Sequence, residues 1–74
     1  MSRLTRKQSV TLTESQWDTI LDSMLTALGN TPNDVWASTI NIARMELGKE
    51  LGRDVTSAWD WRKSVRANAE RSRA

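Results

Sequence analysis

Cysteine, histidine, tyrosine and phenylalanine are all absent from this sequence of 74 residues, whose only aromatic residues are four tryptophans. Without cysteine or histidine, neither a disulfide nor the usual zinc site can stabilise so short a chain. General acid–base catalysis would fall to carboxylates and lysines, and no phosphate-binding glycine loop is present. Glu46, Glu50 and Asp54 share a side of a predicted helix, but no loop supplies further oxygens for a metal. We therefore expect a binding protein and not an enzyme, with no catalytic residue, cofactor or metal site.

Long hydrophobic runs are also missing. No segment approaches the ~20 apolar residues of a membrane-spanning helix, and no apolar segment follows the basic start as it would in a signal peptide. The lack of cysteine suits a reducing compartment. We expect a cytoplasmic protein that has no contact with a membrane.

The charged residues divide the chain into three parts. Residues 1–12 carry three basic residues and no acid, residues 13–60 carry eight acids against three basic residues, and residues 61–74 carry five basic residues against one acid. A uniformly basic chain would indicate a protein that coats nucleic acid. An acidic body with basic ends does not, although its basic ends could still contact nucleic acid.

The chain is expected to form one small domain with a polar segment at each end, because it is too short for two cores. Residues 1–8 predict a flexible basic arm, residues 9–67 a helical domain, and residues 68–74 a frayed basic tail. The predicted fold class is all-α, a compact three-helix domain with mobile basic termini. Its helices are expected near residues 13–28, 32–51 and 54–67.

The first helix has clear signals at both ends. Thr13 followed by Gln16 predicts a capping box, in which each side chain binds the backbone N–H of the other residue. Leu12 and Trp17 take the positions of a hydrophobic staple. Gly29 is expected to end the helix, as glycine often does just after the last turn.

The second and third helices have similar signals. Thr31 is the expected cap of the second helix, with Pro32 in its first turn, where a missing N–H costs nothing. Gly52 is expected to close this helix, and Asp54 to cap the third. Apolar residues at steps of three and four define one inward face on each helix. The predicted common cluster is Trp17, Leu21, Leu25, Trp36, Ile40, Leu47, Leu51 and Trp61.

An acidic ridge is expected on the first helix. Glu14, Asp18 and Asp22 lie four residues apart on its solvent side, and the helix contains no basic partner for them. The ridge is either a solvated face or a docking surface for a basic partner.

Residues 43–63, ARMELGKELGRDVTSAWDWRK, resemble the helix-turn-helix family. Gly52 fits the glycine of the tight turn and Gly48 fits the small residue where the two helices cross. Arg53 departs from the pattern at a position that is usually apolar, and Asp54 and Asp60 point outward from the would-be recognition helix. Bases are normally read there by Arg, Lys, Asn or Gln. The remaining matches are the buried positions Leu47, Leu51, Ala58 and Trp61.

Residues 8–51 are also similar to the ribbon-helix-helix family, in which strands from two chains enter the major groove. The strand would be the segment SVTL at residues 9–12, with Val10 and Leu12 inward. Ser9, Thr11 and Thr13 would face outward, and none of them is basic. A capping box explains Thr13 without any ribbon.

The basic opening SRLTRKQ before a small helical body resembles the small transcription regulators of lytic Xanthomonas bacteriophages. That resemblance implies a partner, the RNA polymerase of the host. It also implies inhibition of initiation by displacement of sigma factor, and read-through of terminators. The location would then be the cytoplasm of the host cell. The basic arm would steer encounter with the polymerase and then fold upon it.

Three functions follow from these patterns. The first is a protein-binding regulator of transcription, and the second is a DNA-binding repressor of the helix-turn-helix class. The third is a small virion or assembly protein. Trp59 is expected on the outer face of the third helix, either as a contact or packed on the N-terminal segment. The candidate protein contacts are Arg3, Arg6, Lys7, Val10, Thr11 and Trp59, and the candidate nucleic-acid contacts are Thr56, Arg62, Lys63 and Arg66.

Overall fold

The structure, a computed structural model, describes residues 10–73, which form three α-helices and no strand. These are α1 (Glu14–Asn30), α2 (Asp34–Glu50) and α3 (Trp59–Arg73). A short connection joins α1 to α2, so the two helices pack side by side as a hairpin, and α3 packs mainly on α1. The predicted all-α fold with three helices is confirmed. The arm expected at residues 1–8 lies outside the described residues.

α1 begins as predicted and ends later than predicted. The capping box is present, with the Thr13 N–H donating to Gln16 Oε1 at 2.9 Å and the Gln16 N–H to Thr13 Oγ1 at 3.2 Å. Gly29 does not end the helix, because α1 continues to Asn30. The stop comes at Thr31, which is extended (φ −88°, ψ 126°). Thr31 precedes a proline, whose ring disfavours helical backbone in the residue before it.

α2 has a different cap from the one predicted. Asn33 caps it, accepting a 2.8 Å bond from the Trp36 N–H at Oδ1, so Thr31 is not the cap and Pro32 precedes it. The end of α2 confirms the role of Gly52, which has a φ of 68°. Its N–H donates to the carbonyl of Lys49 at 3.1 Å, and the N–H of Arg53 donates to that of Gly48 at 2.9 Å. These two bonds form a Schellman motif.

The third helix begins at Trp59, not at residue 54, and residues 53–58 lie between the turn and the helix without regular structure. Asn41 of α2 holds this segment with both atoms of its side-chain amide. Its Nδ2 donates to Ser57 Oγ at 3.1 Å, and its Oδ1 accepts the N–H of Ala58 at 3.0 Å. Asp54 therefore does not cap α3, because tertiary bonds keep the chain out of a helix there.

The junction expected over residues 43–63 differs from a helix-turn-helix turn. Residues 51–58 connect α2 to α3, which is longer than the three- or four-residue turn of that family. Gly48 does allow a close approach, but its neighbour is Val55 of the connection and not a residue of α3. α3 consequently lies against α1.

α3 extends further than predicted, because residues 68–73, expected to fray, belong to it. Alanine, glutamate and arginine dominate this part of the helix and are strong helix formers. Ala69 is half-buried, and Ser72 Oγ donates to the carbonyl of Asn68 at 3.0 Å. The helix propensity of these residues and the hydrogen bond from Ser72 to Asn68 together account for the added turns.

The interior contains fewer large side chains than predicted. The buried apolar residues of the described chain are Leu21, Leu28 and Ala37, and most of the predicted cluster is half-buried. The prediction is wrong for Trp36, which is 63% exposed, and for Trp61, which is 44% exposed although its ring contacts Gly29. For Trp36 the reason lies in α2, whose buried residues are Ala37, Asn41 and Gly48 and not those of its apolar stripe.

Gly48→Ala tests the close packing of Val55 on α2. A β-carbon at residue 48 would overlap the side chain of Val55, including its Cβ, which cannot move without the backbone. We expect the free energy of unfolding to fall by about 1–3 kcal/mol from overpacking, although alanine favours helix by about 0.5–1 kcal/mol over glycine. Urea denaturation followed by circular dichroism measures the change. Lys49→Ala, at the exposed neighbouring position, is the control and should change stability by less than about 0.5 kcal/mol.

Candidate protein-binding face

The candidate contacts near the N-terminus are only partly visible. Arg3, Arg6 and Lys7 lie outside the described residues, so their role stays a prediction. Val10 and Thr11 are both exposed in the segment that leads into α1. The described part of the segment SVTL, residues 10–12, forms no strand.

Trp59 lies in the first turn of α3 and is half-buried. The guanidinium carbon of Arg62 lies 4.9 Å from the centroid of its ring, within the range of a cation–π interaction. The ring therefore packs on a neighbour of its own helix. The sequence predicted that Trp59 is either a partner contact or packed on the N-terminal segment, and the structure instead shows its ring covered by Arg62.

Arg62 is only 4% exposed and joins α3 to the start of α2 and to the connection that precedes it. Its Nη1 donates to Asp34 Oδ1 at 2.9 Å and its Nη2 to the carbonyl oxygen of Thr31 at 2.9 Å. A planar guanidinium can make both bonds at once while Trp59 covers it. Arg62 cannot reach a nucleic-acid phosphate from this position, which corrects its inclusion among the candidate nucleic-acid contacts.

The other three candidate nucleic-acid contacts do not form a basic surface with it. Thr56 is exposed in the connection before α3, and its carbonyl accepts a 3.5 Å bond from Arg44 Nη1. Lys63 is exposed, whereas Arg66 is half-buried. The structure thus brings together no row of exposed cations from this set.

The acidic ridge of α1 has a basic partner that the sequence did not reveal. Arg53 Nη1 pairs with the carboxylate of Asp18, and Arg53 Nη2 donates to the carbonyl of Glu14 at 3.4 Å. This contact explains a basic residue at the position where a helix-turn-helix motif has an apolar one. Asp18 is exposed and Arg53 is half-buried, and ion pairs that remain in contact with solvent contribute little to stability. The ridge is partly neutralised, which weakens it as a docking surface for a basic partner.

An open groove runs between α1 and α2. Its volume is about 370 Å³, and its walls are almost entirely apolar. Helix α1 supplies four of the lining residues and α2 supplies three. They are Ile20, Ser23, Met24 and Ala27 from α1, and Thr39, Ile40 and Ala43 from α2.

The apolar stripe of α2 lies along this groove. Trp36, Ile40, Ala43 and Leu47 follow one another at helical spacing, and the sequence predicts that this stripe faces the core. The structure instead leaves Trp36 and Ala43 exposed and Ile40 and Leu47 half-buried. The sequence pattern predicts the stripe, but it does not show which surface of the domain the stripe faces.

No charged residue lines the groove. We use the name uncharged face for the seven groove-lining residues together with Trp36 and Leu47, none of which is charged in a chain with 27% charged residues. The centres of protein interfaces are depleted of charged residues and enriched in tryptophan and methionine. The uncharged face has the composition of such a centre.

Other kinds of site find no support among residues 10–73. Glu46, Glu50 and Asp54 do not converge, and no group of three or more potential ligands could hold a metal ion in this part of the chain. Neither does any helix of the described residues have the length and apolar character needed to cross a bilayer.

Comparison with known proteins identifies no relative: no protein-family model, curated protein or solved structure matches the chain. The resemblances to the helix-turn-helix, ribbon-helix-helix and phage regulator families therefore rest on their sequence motifs alone. Function is inferred from the geometry of the uncharged face.

Arg62→Met tests the buried guanidinium. Methionine keeps much of the apolar volume but loses two charge-assisted hydrogen bonds and the contact with Trp59. We therefore expect the free energy of unfolding to fall by about 2–3 kcal/mol. Lys63→Met removes the same charge from the exposed adjacent position and should cost less than about 0.5 kcal/mol. Denaturant titration of both variants gives the comparison. Equal losses would show that Arg62 does not hold α3 in place.

Proposed function

We propose that this chain is a non-catalytic protein-binding module whose contact surface is the uncharged face. The observation that carries the proposal is Trp36, 63% exposed beside an apolar groove with no charged residue in it. Scattered apolar residues are common on protein surfaces, but a contiguous apolar surface on a small protein usually marks a binding site.

Covering this face would supply substantial binding energy. Burial of apolar surface contributes roughly 25 cal/mol for each Å² removed from water, and a tryptophan alone can bury about 150–250 Å². Trp36 is held by the capped first turn of α2, where its own N–H bonds to Asn33. A preorganised aromatic anchor next to a groove matches the arrangement of interface hot spots.

The DNA-binding alternative has weaker support from the same geometry. Arg62 is enclosed, and α3 carries Asp60 on its exposed surface close to its start. Base reading needs exposed donors on a helix that can enter the major groove. Protein binding is therefore the function that we favour.

The fuller proposal is a phage-type transcription regulator that binds host RNA polymerase, inhibits initiation and promotes antitermination. It is supported by the resemblance of the basic opening to such regulators and by the presence of a protein-binding face. In this proposal Arg3, Arg6 and Lys7 speed encounter with the polymerase, because exposed charges act mainly on association rates. The uncharged face supplies the short-range contact.

Ala43→Glu tests whether the uncharged face binds the polymerase. Residue 43 is exposed in the middle of the groove, so glutamate should leave the fold intact while placing a charge in the contact. We expect affinity for purified bacterial RNA polymerase, measured by biolayer interferometry, to fall at least about tenfold, which corresponds to about 1.4 kcal/mol.

Ile42→Glu is the matched control. It adds the same charge one residue away, at a side chain that is 54% exposed but does not line the groove, and it should bind like the wild type. Equal affinity of the two variants would rule out the uncharged face as the contact. No binding by the wild-type chain would overturn the choice of polymerase as the partner.

Duplex DNA should bind only weakly to the purified protein. At physiological salt we expect dissociation constants no tighter than the non-specific range of about 10⁻⁴–10⁻⁶ M, without preference between sequences. Fluorescence anisotropy with labelled duplexes at two salt concentrations measures this. Lys63→Ala should lower the residual binding and Ile42→Ala should not. Nanomolar, sequence-specific binding would reverse the choice between protein and DNA as the partner.

A further inference from the structure

The interior of the described chain is thin for an independent domain. Its buried apolar side chains are Leu21, Leu28 and Ala37, and two of the five buried residues with side chains are polar, Asn41 and Arg62. Domains of this size have little stability to spare, and many small chains gain the missing apolar burial by associating. The half-exposed stripe of α2 is the apolar surface available for that burial.

The two faces of the α1–α2 hairpin are occupied differently. Ile20 and Gly29 of α1 are nine residues apart, which places them about 180° apart around the helix at ~100° per residue. Gly29 contacts Trp61 of α3, whereas Ile20 lines the groove. On α2, Asn41 binds the connection to α3, and Ala43 is about 160° away in the groove. α3 and its connection thus leave the uncharged face open.

The absence of charge on this face selects among possible occupants. A partner with an acidic or basic surface would need opposite charges on this face, and the groove has none. Its own charges would also lose their hydration against these apolar residues. The best match is an uncharged, apolar helical surface with a groove of the same length. A second copy of the chain presents such a surface.

We propose that the uncharged face is the interface of a symmetric homodimer, in which two α1–α2 hairpins pack face to face as a four-helix bundle. This inference rests on the proposed function in one respect, that the uncharged face binds protein. It commits to the second copy as the occupant in the free protein, so the polymerase would have to displace that copy to reach the same face. The α3 helices lie on the outside of the bundle.

A two-fold arrangement satisfies the shape of both surfaces at once. In a symmetric interface every contact occurs twice: if a residue of one copy touches a second residue in the partner, the same residue of the partner touches that second residue in the first copy. Trp36 lies one turn from Ile40, at the edge of the groove, so each copy has a protruding ring next to a recess. The ring of one copy enters the groove of the other, and the reverse contact follows by symmetry. Ser23, Ala27 and Ala43 are small and permit close approach.

The size of the face indicates a weak, transient dimer. The uncharged face spans residues 20–27 of α1 and 36–47 of α2, about 12 Å and about 18 Å along the two helices, and two helices side by side are about 20 Å wide. The flat area is therefore about 300 Å² for each copy, and about 600 Å² in total before side-chain relief is added. This is below the range of stable interfaces, which bury about 1,200–2,000 Å². We expect a dissociation constant of hundreds of micromolar.

Sedimentation equilibrium of the full chain tests the proposal. From about 10 µM to about 1 mM, a range that spans a dissociation constant of hundreds of micromolar, the weight-average mass should rise from near 8.4 kDa towards twice that value. Ala43→Glu should weaken the dimer at least tenfold, and Trp36→Ala should do the same. Ile42→Glu should associate like the wild type, with circular dichroism confirming that each variant is helical.

A second measurement does not depend on variants. In a mixture of ¹³C-labelled and unlabelled chains, isotope-filtered NMR should show intermolecular contacts between the Trp36 indole and the methyl groups of Ile20, Met24 or Ile40. A wild-type chain that stays at monomer mass up to 1 mM overturns the dimer. So does a dimer that Ala43→Glu leaves intact and whose intermolecular contacts exclude Trp36.

The outcomes separate this inference from the proposed function. A monomeric wild type whose polymerase binding is lost in Ala43→Glu contradicts the dimer and supports the proposed function with a different occupant. A dimer that is lost in Ala43→Glu supports the inference even if the polymerase does not bind. If the wild-type chain neither associates nor binds the polymerase, both the dimer and the proposed function are contradicted.

Discussion

The Arg62 guanidinium decides where the third helix lies. α3 is polar along most of its length, so apolar burial alone holds it weakly, and its firm contacts are near its start. There Arg62 bonds to Asp34 and to the Thr31 carbonyl, while Trp61 lies on Gly29. A lysine has three N–H donors on a single nitrogen and no planar group, so it could not bond to Asp34 and Thr31 through two separate nitrogens while stacking on Trp59. With α3 held on that side, the opposite side of the hairpin stays open.

The second helix therefore has two different surfaces, one that faces the rest of the domain and one that faces the groove. Its small and polar residues, Ala37, Asn41 and Gly48, face the rest of the domain, because close approach and hydrogen bonding are needed there. Its apolar stripe contributes Ile40 and Ala43 to the groove, and the exposed Trp36 lies one turn from Ile40. This reverses the usual arrangement, in which the apolar stripe faces the core of the same chain. Such a reversal costs stability in the isolated domain, and a protein partner on the uncharged face would restore it.

Local signals predicted much of the fold. The capping box at Thr13, the glycine turn at Gly52 and the helical spacing of apolar residues lie within a few positions of one another, so the sequence alone shows them. The late start of α3 depends on bonds from Asn41 to residues 16 and 17 positions later, which no local pattern contains. The burial of Arg62 depends on residues 28 and 31 positions earlier. For the same reason the sequence showed the stripe of Trp36 but not whether it faced the core.

The two hydrogen bonds from Asn41 to the connection between α2 and α3 have an evolutionary consequence. One amide binds both Ser57 and Ala58, and Val55 is pressed onto Gly48, so the path from α2 to α3 has a set length. An inserted or deleted residue between Val55 and Trp59 would turn α3 by about 100° and carry Arg62 away from Asp34. Loops usually accept changes in length more readily than helices do. In this protein, natural variation in length should be concentrated outside that connection, which acts as a spacer of fixed length although it has no regular structure.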